Sequence, residues 1–510
     1  MKKVLAFTVL FFTVVVSLWT QEVKTVKDAG GSWTIEVDGK PIFVKGVVWS
    51  VTPPGTNFTY SLWKENDKVI RSLIDRDGQL MKDMGVNAVR VSSEIPAKYV
   101  EYMFSKHGIY TIIVDSFGRN GVSVQGRRFD LANFERPEHR AVVLAQARAT
   151  VEKFKGTKGI LMYLFGNEMN YRTYWPDTPK TLMELPGDTR SERRNYALYT
   201  ALEEAMKTAK EIDPAHPVGF INGDIGNLDV MAEVCPSMDI FGTNLSRGAR
   251  IGNVYDEVQW QIDRPVLIAQ ISPGDAWNAK LNREDQYHQA EFIVSQWTDI
   301  YANAYGAGHA NSVGGVVNEW TDSWWGHNPG STAGLDVHDT DADYLNWAYF
   351  NDVLYPYPNV NPEWGGLTSQ GKRKIGRHPI KQPRAAYYAL QYLWKVDPVQ
   401  LAEERTKGTA GGVTLESHLA GLDLGTFTAR GMTDSQENIP NWKVTTDISF
   451  AAMQSGNNIE QRLDEGEEFI MLFDNNSSPN NTNIWGGEVK TTLWGITNES
   501  AAGRGHDYLC

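Results

Sequence analysis

The sequence predicts a closed barrel of eight parallel strands that alternate with helices, followed by a small all-β domain. Short runs rich in β-branched residues recur between amphipathic stretches from residue 43 to residue 394. From about residue 400 the pattern changes to short alternating runs with turn residues. Repeated strand and helix units form a parallel sheet, and eight of them close a barrel. An open doubly wound sheet is the alternative, but no glycine-rich phosphate-binding turn follows the first strand.

The barrel units follow one another in a regular order. A hairpin around the turn dipeptide Asp38-Gly39 leads into the first barrel strand, residues 43–49. Helical segments separate the strands, and a last helix from Pro383 to Trp394 closes the barrel. The other seven strands are expected at residues 86–91, 110–114, 160–165, 218–221, 238–241, 266–269 and 312–317.

The pattern divides the chain into four parts. Residues 1–20 read as a signal peptide, 21–41 as a β-hairpin lead-in, 42–398 as the (β/α)8 barrel and 399–510 as a sandwich-like β domain. The strands of that last domain are expected at residues 412–416, 424–428, 442–450 and 468–473.

The N-terminus predicts export to the periplasm or the extracellular space. Lysines at positions 2 and 3 precede an apolar run from Val4 to Trp19. Such a segment is typical of a secretory signal peptide. The alternative, a membrane anchor, needs about 20 apolar residues and a charged stop, which this segment lacks. Every later apolar stretch is interrupted by charges, glycine or proline, so no integral membrane segment is expected after signal cleavage.

Composition narrows the class of partner. A formal net charge of −13 disfavours nucleic acid, because phosphate binding needs a positive surface. The 17 tryptophans and 21 tyrosines suit the stacking of sugar rings, although a large aromatic core would also use them. The two cysteines, Cys235 and Cys510, do not make a disulfide framework. We expect no cofactor and no metal, because the acidic residues near Asp336 match no ligand spacing.

Chemistry in a parallel barrel is expected in the loops that follow the strands. Gly166-Asn167-Glu168 follows the fourth strand, and Gln270 follows the seventh. Cleavage of a glycoside needs one carboxylic acid that protonates the leaving oxygen, and partial burial beside aromatic rings raises its pKa. Glu168 lies near Tyr171 in such a context and is the candidate, although a glutamate that merely stabilises the barrel rim would look the same.

Four segments resemble the catalytic barrel of the clan A glycoside hydrolases, above all the family 2-like bacterial barrels and related β-glucan-active enzymes. They are residues 45–55, 84–90, 166–171 and 315–325. The resemblance runs from about Lys45 to Asp397 and does not cover the C-terminal domain. It implies an oligosaccharide or polysaccharide as the binding partner.

The resemblance also implies roles for individual residues. Glu168 would be the general acid/base, Asn167 would hold the substrate 2-hydroxyl, and Arg90 would lie beneath the nucleophile and keep it ionised. For Arg90, a buried structural ion pair is the alternative. The remaining substrate-binding residues would be Tyr171, Asn244 and a sugar platform made of Trp320, Trp324 and Trp325.

The sequence departs from the clan at two positions. Gln270 occupies the place of the nucleophilic glutamate, and an amide is too poor a nucleophile to form the glycosyl-enzyme. Leu245 replaces a tyrosine that relatives often place nearby. Asp275, Glu319 or Asp322 could supply a second carboxylate, and a separation of about 6.5 to 9.5 Å from Glu168 would allow inversion.

Two functions therefore remain open at the level of sequence. One is an exported glycosidase or transglycosylase that uses Glu168 with an unusual second carboxylate. The other is a catalytically inactive pseudoglycosidase that binds a glycan or has a structural role in the cell envelope.

Overall fold

The computed structural model describes residues 21–176, 184–279, 281–326, 333–340, 361–407 and 414–434. The predicted signal peptide, residues 1–20, lies outside them. The strands are β1 (Val23–Lys27), β2 (Trp33–Val37), β3 (Lys40–Ile42), β4 (Val44–Val48), β5 (Ala88–Ser92), β6 (Tyr110–Asp115), β7 (Val122–Val124), β8 (Arg127–Phe129), β9 (Ile160–Phe165), β10 (Val218–Gly223), β11 (Ile240–Asn244), β12 (Val266–Ile271), β13 (Trp277–Asn278), β14 (Arg283–Glu284), β15 (Ser312–Val317), β16 (Thr368–Ile375) and β17 (His378–Pro383).

The helices alternate with the longer strands. They are α1 (Asp67–Met84), α2 (Ala97–His107), α3 (Pro137–Phe154), α4 (Arg190–Ile212), α5 (Leu228–Val234), α6 (Val254–Gln261), α7 (Gln286–Ala302), α8 (Ala385–Leu393), α9 (Pro398–Thr406), α10 (Leu415–Leu419) and α11 (Leu424–Asp434). None of the helices in these ranges is long and apolar enough to cross a membrane.

Eight strands close the predicted barrel. They run in the order β4, β5, β6, β9, β10, β11, β12 and β15, and every neighbouring pair is parallel. Each predicted barrel strand overlaps one of them, so the prediction of the barrel is confirmed. All six residues of β9 are buried, as expected for a strand covered on both faces.

Local sequence fixes the ends of the barrel helices. Asn66 caps α1 by accepting the Val69 N–H, and Gly85 ends that helix in the left-handed conformation. Thr189 and Glu192 form a reciprocal capping box at the start of α4. These signals set where α1 and α4 begin and where α1 ends.

A three-stranded antiparallel sheet, β1 to β3, closes one end of the barrel. The predicted hairpin forms its β2 and β3, while β1 was not predicted. The Val23 N–H donates to Ala215 O and the Trp33 N–H to Ala310 O, in the loops that precede β10 and β15. Val23 and Ile35 belong to the same apolar cluster as the barrel interior. Because the N-terminal end is closed in this way, the opposite end carries the candidate site.

Three short hairpins extend the loops at that opposite end. β7–β8 follows β6, β13–β14 follows β12, and β16–β17 follows β15. Each lies in the loop after a barrel strand, where active sites of this architecture are built.

The chain after residue 398 differs from the prediction. Helix α11 lies where a strand was expected at 424–428, so that strand prediction is wrong. Of the strand expected at 412–416, residues 412–413 lie outside the described residues, and α10 begins at Leu415 in place of its end. The Asp423 carboxylate accepts the Thr426 N–H and starts α11, which packs on α7 and α8. The alternation of Thr426, Phe427 and Thr428 mimicked a strand, but packing on the barrel decided the conformation. The predicted strands at 442–450 and 468–473 lie outside the described residues.

Candidate active site

The turn after β9 presents Glu168 at the open end of the barrel. Gly166 and Glu168 both have left-handed backbone conformations, with φ of 67° and 57°. This region is uncommon for a residue other than glycine and often marks a functional turn. The Glu168 N–H donates to Ile221 O of β10 at 2.9 Å, which holds the turn against the neighbouring strand.

Asn244, the last residue of β11, joins the two site residues of that turn. Its Nδ2 donates to Glu168 Oε1 at 2.9 Å and to Asn167 Oδ1 at 2.8 Å. Arg90 Nη2 donates to the same Asn167 oxygen at 2.7 Å. Asn244 therefore holds the Glu168 carboxylate directly, and Arg90 shares with Asn244 the oxygen of Asn167.

Gln270 lies in this network at the end of β12, where the strand register pairs it with Asn244. Arg90 Nη1 donates to Ala269 O at 2.8 Å and to Asn244 Oδ1 at 3.2 Å, and approaches Gln270 Oε1 at 3.4 Å. Burial lowers the pKa of Arg90 to about 10, and the Glu168 charge opposes that shift. The structure thus brings together five of the predicted site residues.

Arg119 is a site residue that the sequence analysis did not identify. Its Nη2 lies 3.6 Å from Glu168 Oε2, and its Nη1 donates to Asn167 O. Burial lowers the pKa of Arg119, Glu168 raises it, and Arg172 lowers it again. Arg119 follows β6, so a systematic inspection of every loop after a predicted strand would have found it.

Tyr171 forms an aromatic wall beside Glu168. Its side chain is half exposed, and its ring lies against Gly223, where an added Cβ would fall 2.2 Å from the ring. Burial and the neighbouring Asp224 raise the pKa of Tyr171 to about 12. Asp224 is held by Arg247 at 2.5 Å. The phenol is therefore neutral and presents a ring face suited to a sugar.

The three tryptophans after β15 have different environments. Trp320 is 0% exposed and packs on Tyr387 in the core, which corrects the prediction that it belongs to the sugar platform. Trp324 is partly exposed and stacks on His338, with ring centroids 4.6 Å apart. Trp325 is partly exposed and lies 5.8 Å from the Phe58 ring. A fully buried ring offers no face to a ligand, so of the three only Trp324 and Trp325 stay candidates for a sugar platform.

Asp322 belongs to a buried ion pair with Arg384. Its Oδ1 accepts from Arg384 Nη1 at 2.6 Å and its Oδ2 from Nη2 at 2.8 Å, with both side chains at most 1% exposed. The Gly366 N–H also donates to Oδ1 at 3.1 Å. Glu284 is 3.3 Å from Arg384 on the other side. Because both oxygens of Asp322 are engaged, this carboxylate stabilises the fold at the end of β15.

Glu319 and Asp275 adjoin that ion pair. Burial raises the pKa of Glu319 to about 7; contacts with Ser323 and Ser50 oppose the shift, and the charge of Asp322 adds to it. Burial raises the pKa of Asp275 to about 8, while the Asn361 N–H, which donates to its Oδ2 at 2.8 Å, favours the ionised form. Glu319 keeps partial solvent access, whereas Asp275 is buried. Glu319 is therefore the more accessible of the two.

The barrel matches a known protein family. The family model described as glycosyl hydrolases family 2, TIM barrel domain, matches residues 66–321, which is 256 of 510 residues and just over half of the chain. A search of curated proteins found no match.

Similar solved structures include two β-glucuronidases and a β-galacturonidase. The Bacteroides uniformis β-glucuronidase is 14% identical with a TM-score of 0.46, and the match covers 73% of this chain and 37% of that one. The uncultured Clostridium sp. β-glucuronidase is 15% identical with a TM-score of 0.43, and the match covers 74% of this chain and 53% of that one. The Eisenbergiella tayi GH2 β-galacturonidase bound to galacturonate is 13% identical with a TM-score of 0.43, and the match covers 74% of this chain and 54% of that one. This chain thus spans about half or less of their length, and the likeness concerns the fold alone.

Proposed function

This chain belongs to glycosyl hydrolase family 2 through its TIM barrel domain, and on that premise we propose that it acts on a β-linked glycan with Glu168 as the general acid/base. The supporting observation is the fixed Glu168 carboxylate, which accepts from Asn244 at 2.9 Å and faces Arg119 at 3.6 Å. Tyr171 supplies an exposed ring face beside it. An oriented carboxyl group next to an aromatic surface is the arrangement that protonates a glycosidic oxygen.

The residue at position 270 determines whether cleavage can pass through a covalent glycosyl-enzyme. An amide does not form a glycosyl ester, so the proposed reaction does not pass through a covalent intermediate on Gln270. The attacking group is then water, and a second carboxylate must accept its proton. We assign Glu319 as that base, because it is partly accessible and its pKa of about 7 suits proton transfer near neutral pH. This route inverts the anomeric configuration.

A catalytically inactive glycan-binding protein is the second candidate. It is favoured by the partners of Arg90, whose hydrogen bonds go to neutral oxygens of Asn167, Asn244, Ala269 and Gln270. In that case the aromatic surface and the amides bind sugar, and Glu168 is a polar contact.

Substitution of Glu168 by glutamine tests the first candidate. The full chain is incubated with a panel of β-1,3-, β-1,4- and β-1,6-linked oligosaccharides, and products are followed by mass spectrometry. Glu168→Gln is expected to lower product formation by roughly 100-fold or more. Glu152→Gln, on the exposed outer face of α3, is the matched control. Equal turnover by wild type and Glu168→Gln would refute the acid/base assignment.

Gln270→Glu separates the two candidates. An inactive binding protein forms a complex with an oligosaccharide in calorimetry without products, and gains hydrolysis with retained configuration in this variant. If the protein is instead an active inverting enzyme, the wild type already releases product, and NMR of the anomeric proton shows that its configuration is inverted. If Glu319 is the base, Glu319→Gln is expected to lose that product. Full activity in Glu319→Gln would refute the assignment of Glu319 as the base.

We also propose that the protein is exported, on the basis of the positive and apolar N-terminal segment. N-terminal sequencing of protein from the periplasm or medium is expected to show that the segment before about residue 21 is absent. An intact N-terminus in the cell interior would contradict export.

A further inference from the structure

We propose that a cavity at the closed end of the barrel binds a primary ammonium group carried on an aliphatic chain, and that Asp28 is its counter-charge. The cavity lies between the β1–β2 turn, the loop that follows α7 and the start of α9. That turn belongs to the sheet that closes the barrel, so the cavity lies at the opposite end from Glu168. The inference concerns a second site and does not depend on the proposed function.

The cavity is large enough for a small organic group. Its volume is about 380 Å³, and small-molecule sites typically have volumes of about 300–1,000 Å³. Tyr301 and Tyr305 contribute aromatic side chains to its lining. Val396, Pro398 and Leu401 contribute aliphatic ones. A lining of this kind favours the burial of a short hydrocarbon chain.

Asp28, at the edge of this cavity, is an ionised carboxylate without a cationic partner. The Tyr305 hydroxyl lowers the pKa of Asp28, burial opposes that shift, and backbone N–H groups of residues 30–32 lower it further. One of these donors is the Ser32 N–H, at 2.8 Å from Oδ1. All of these donors are neutral, and Asp28 forms no ion pair among the described residues. Its negative charge is therefore uncompensated within the described part of the chain.

The Ser32 hydroxyl is a second polar group that can accept a ligand. Ser32 is 8% exposed and lines the cavity. Its N–H and its carbonyl oxygen are hydrogen-bonded to Asp28, whereas its Oγ makes no hydrogen bond within the ranges that the structure describes. A hydroxyl that is removed from bulk water and left unpaired costs free energy. A hydrogen-bond donor bound in the cavity would remove that cost.

These features together favour an alkylammonium ion. An ammonium group has three N–H donors, so it can bind the Asp28 carboxylate and the Ser32 hydroxyl at once, and its charge compensates that of Asp28. The chain that carries the ammonium group packs against Leu401 and the other apolar side chains. A neutral sugar leaves the Asp28 charge uncompensated, an anion is repelled by that charge, and one carboxylate is too few for a calcium site.

Calorimetry with the full chain at pH 7 tests the assignment with two pairs of probes. Pentylamine and 1-pentanol represent a small free molecule. A blocked tripeptide with a central lysine, and the same tripeptide with a central norleucine, represent the side chain of a partner protein. In each pair the second member lacks the positive charge. The charged member of at least one pair is expected to bind about ten-fold more tightly than its neutral counterpart, because hydrogen bonds between charged groups are the strong ones.

Substitutions locate the site. Asp28→Asn removes the charge and keeps the shape of the side chain, so it is expected to weaken binding of the charged probe about ten-fold and to leave the neutral probe unchanged. Ala307→Leu fills the cavity and is expected to abolish binding of both, which also covers the case in which Asp28→Asn fails to fold. Asp229→Asn, on the exposed face of α5, removes the same charge elsewhere, and Glu168→Gln removes the carboxylate of the candidate active site. Neither of these two controls is expected to change binding.

Each outcome decides the proposal. Equal binding of the charged and neutral members of both pairs overturns it, and so does binding of the charged probe that persists in Ala307→Leu. Absence of binding by all four probes overturns it as well. Tighter binding of the lysine tripeptide than of pentylamine supports the site and indicates a protein side chain as the ligand. Tighter binding of pentylamine supports the site and indicates a free amine.

Discussion

Replacement of Asp322 by asparagine removes one charge from a pair in which both side chains are at most 1% exposed. Asparagine can still accept the Gly366 N–H and one Arg384 N–H through its oxygen. Its amide N–H group then faces Arg384 Nη2, where a 2.8 Å hydrogen bond existed, so a donor meets a donor. The remaining counter-charge is Glu284, at 3.3 Å. Breaking one side of a buried pair costs about 3–5 kcal/mol, and we expect the unfolding free energy to fall by that amount.

Equilibrium urea denaturation of wild type and Asp322→Asn measures this loss. Glu284→Gln is the matched comparison and is expected to cost less, since its distance to Arg384 is longer. Glycan binding per folded molecule is expected to be preserved in Asp322→Asn below its transition. A variant that keeps its stability within about 0.5 kcal/mol and loses all activity would show that Asp322 acts on substrate and would refute the structural assignment.

Three further predictions follow from single contacts. The pKa of Asp275 is about 8 in the folded protein, against an ordinary value of 3.8. As pH rises from about 4 to 8, the unfolded chain releases the proton that the folded protein still holds. The free energy of unfolding therefore falls over that pH range. Asp275→Asn should remove this loss of unfolding free energy, which amounts to at most roughly 6 kcal/mol over that pH range, and a denaturation series with an unchanged pH dependence would disprove the assignment. Gly223→Ala should displace the Tyr171 ring and weaken glycan binding about ten-fold in calorimetry, which unchanged affinity would contradict. Arg90→Lys loses the forked contacts to strand ends, and a fall of about 2–4 kcal/mol in unfolding free energy is expected; a fall under 0.5 kcal/mol would argue against the network.

The sequence alone predicted the barrel and the central pair of its site. β-branched runs separated by amphipathic segments are local patterns, and each of the eight barrel strands was found where they occur. Because catalytic loops follow the strands, Glu168 and Gln270 could be placed on one rim from their positions after predicted strands. Their hydrogen-bonded connection through Arg90 and Asn244 agrees with that placement.

Contacts between distant parts of the chain were decided by the tertiary structure. Asp322 and Arg384 are 62 residues apart, and no local pattern shows that they pair. Trp320 is buried because Tyr387 of α8 covers it, although its sequence context resembles that of the exposed tryptophans. α11 is helical because it packs on α7 and α8, which outweighs the strand propensity of its threonines and phenylalanine.

The charges of the candidate site also follow partly from the sequence and partly from the tertiary structure. The sequence determined that an amide stands where a carboxylate is expected, since residue identity needs no fold. Only the folded chain brings Arg119 from the loop after β6 to within 3.6 Å of Glu168. Electrostatic energy depends on distance in space, so an overall charge of −13 could not reveal that a guanidinium group stands beside this carboxylate, and the barrel geometry did.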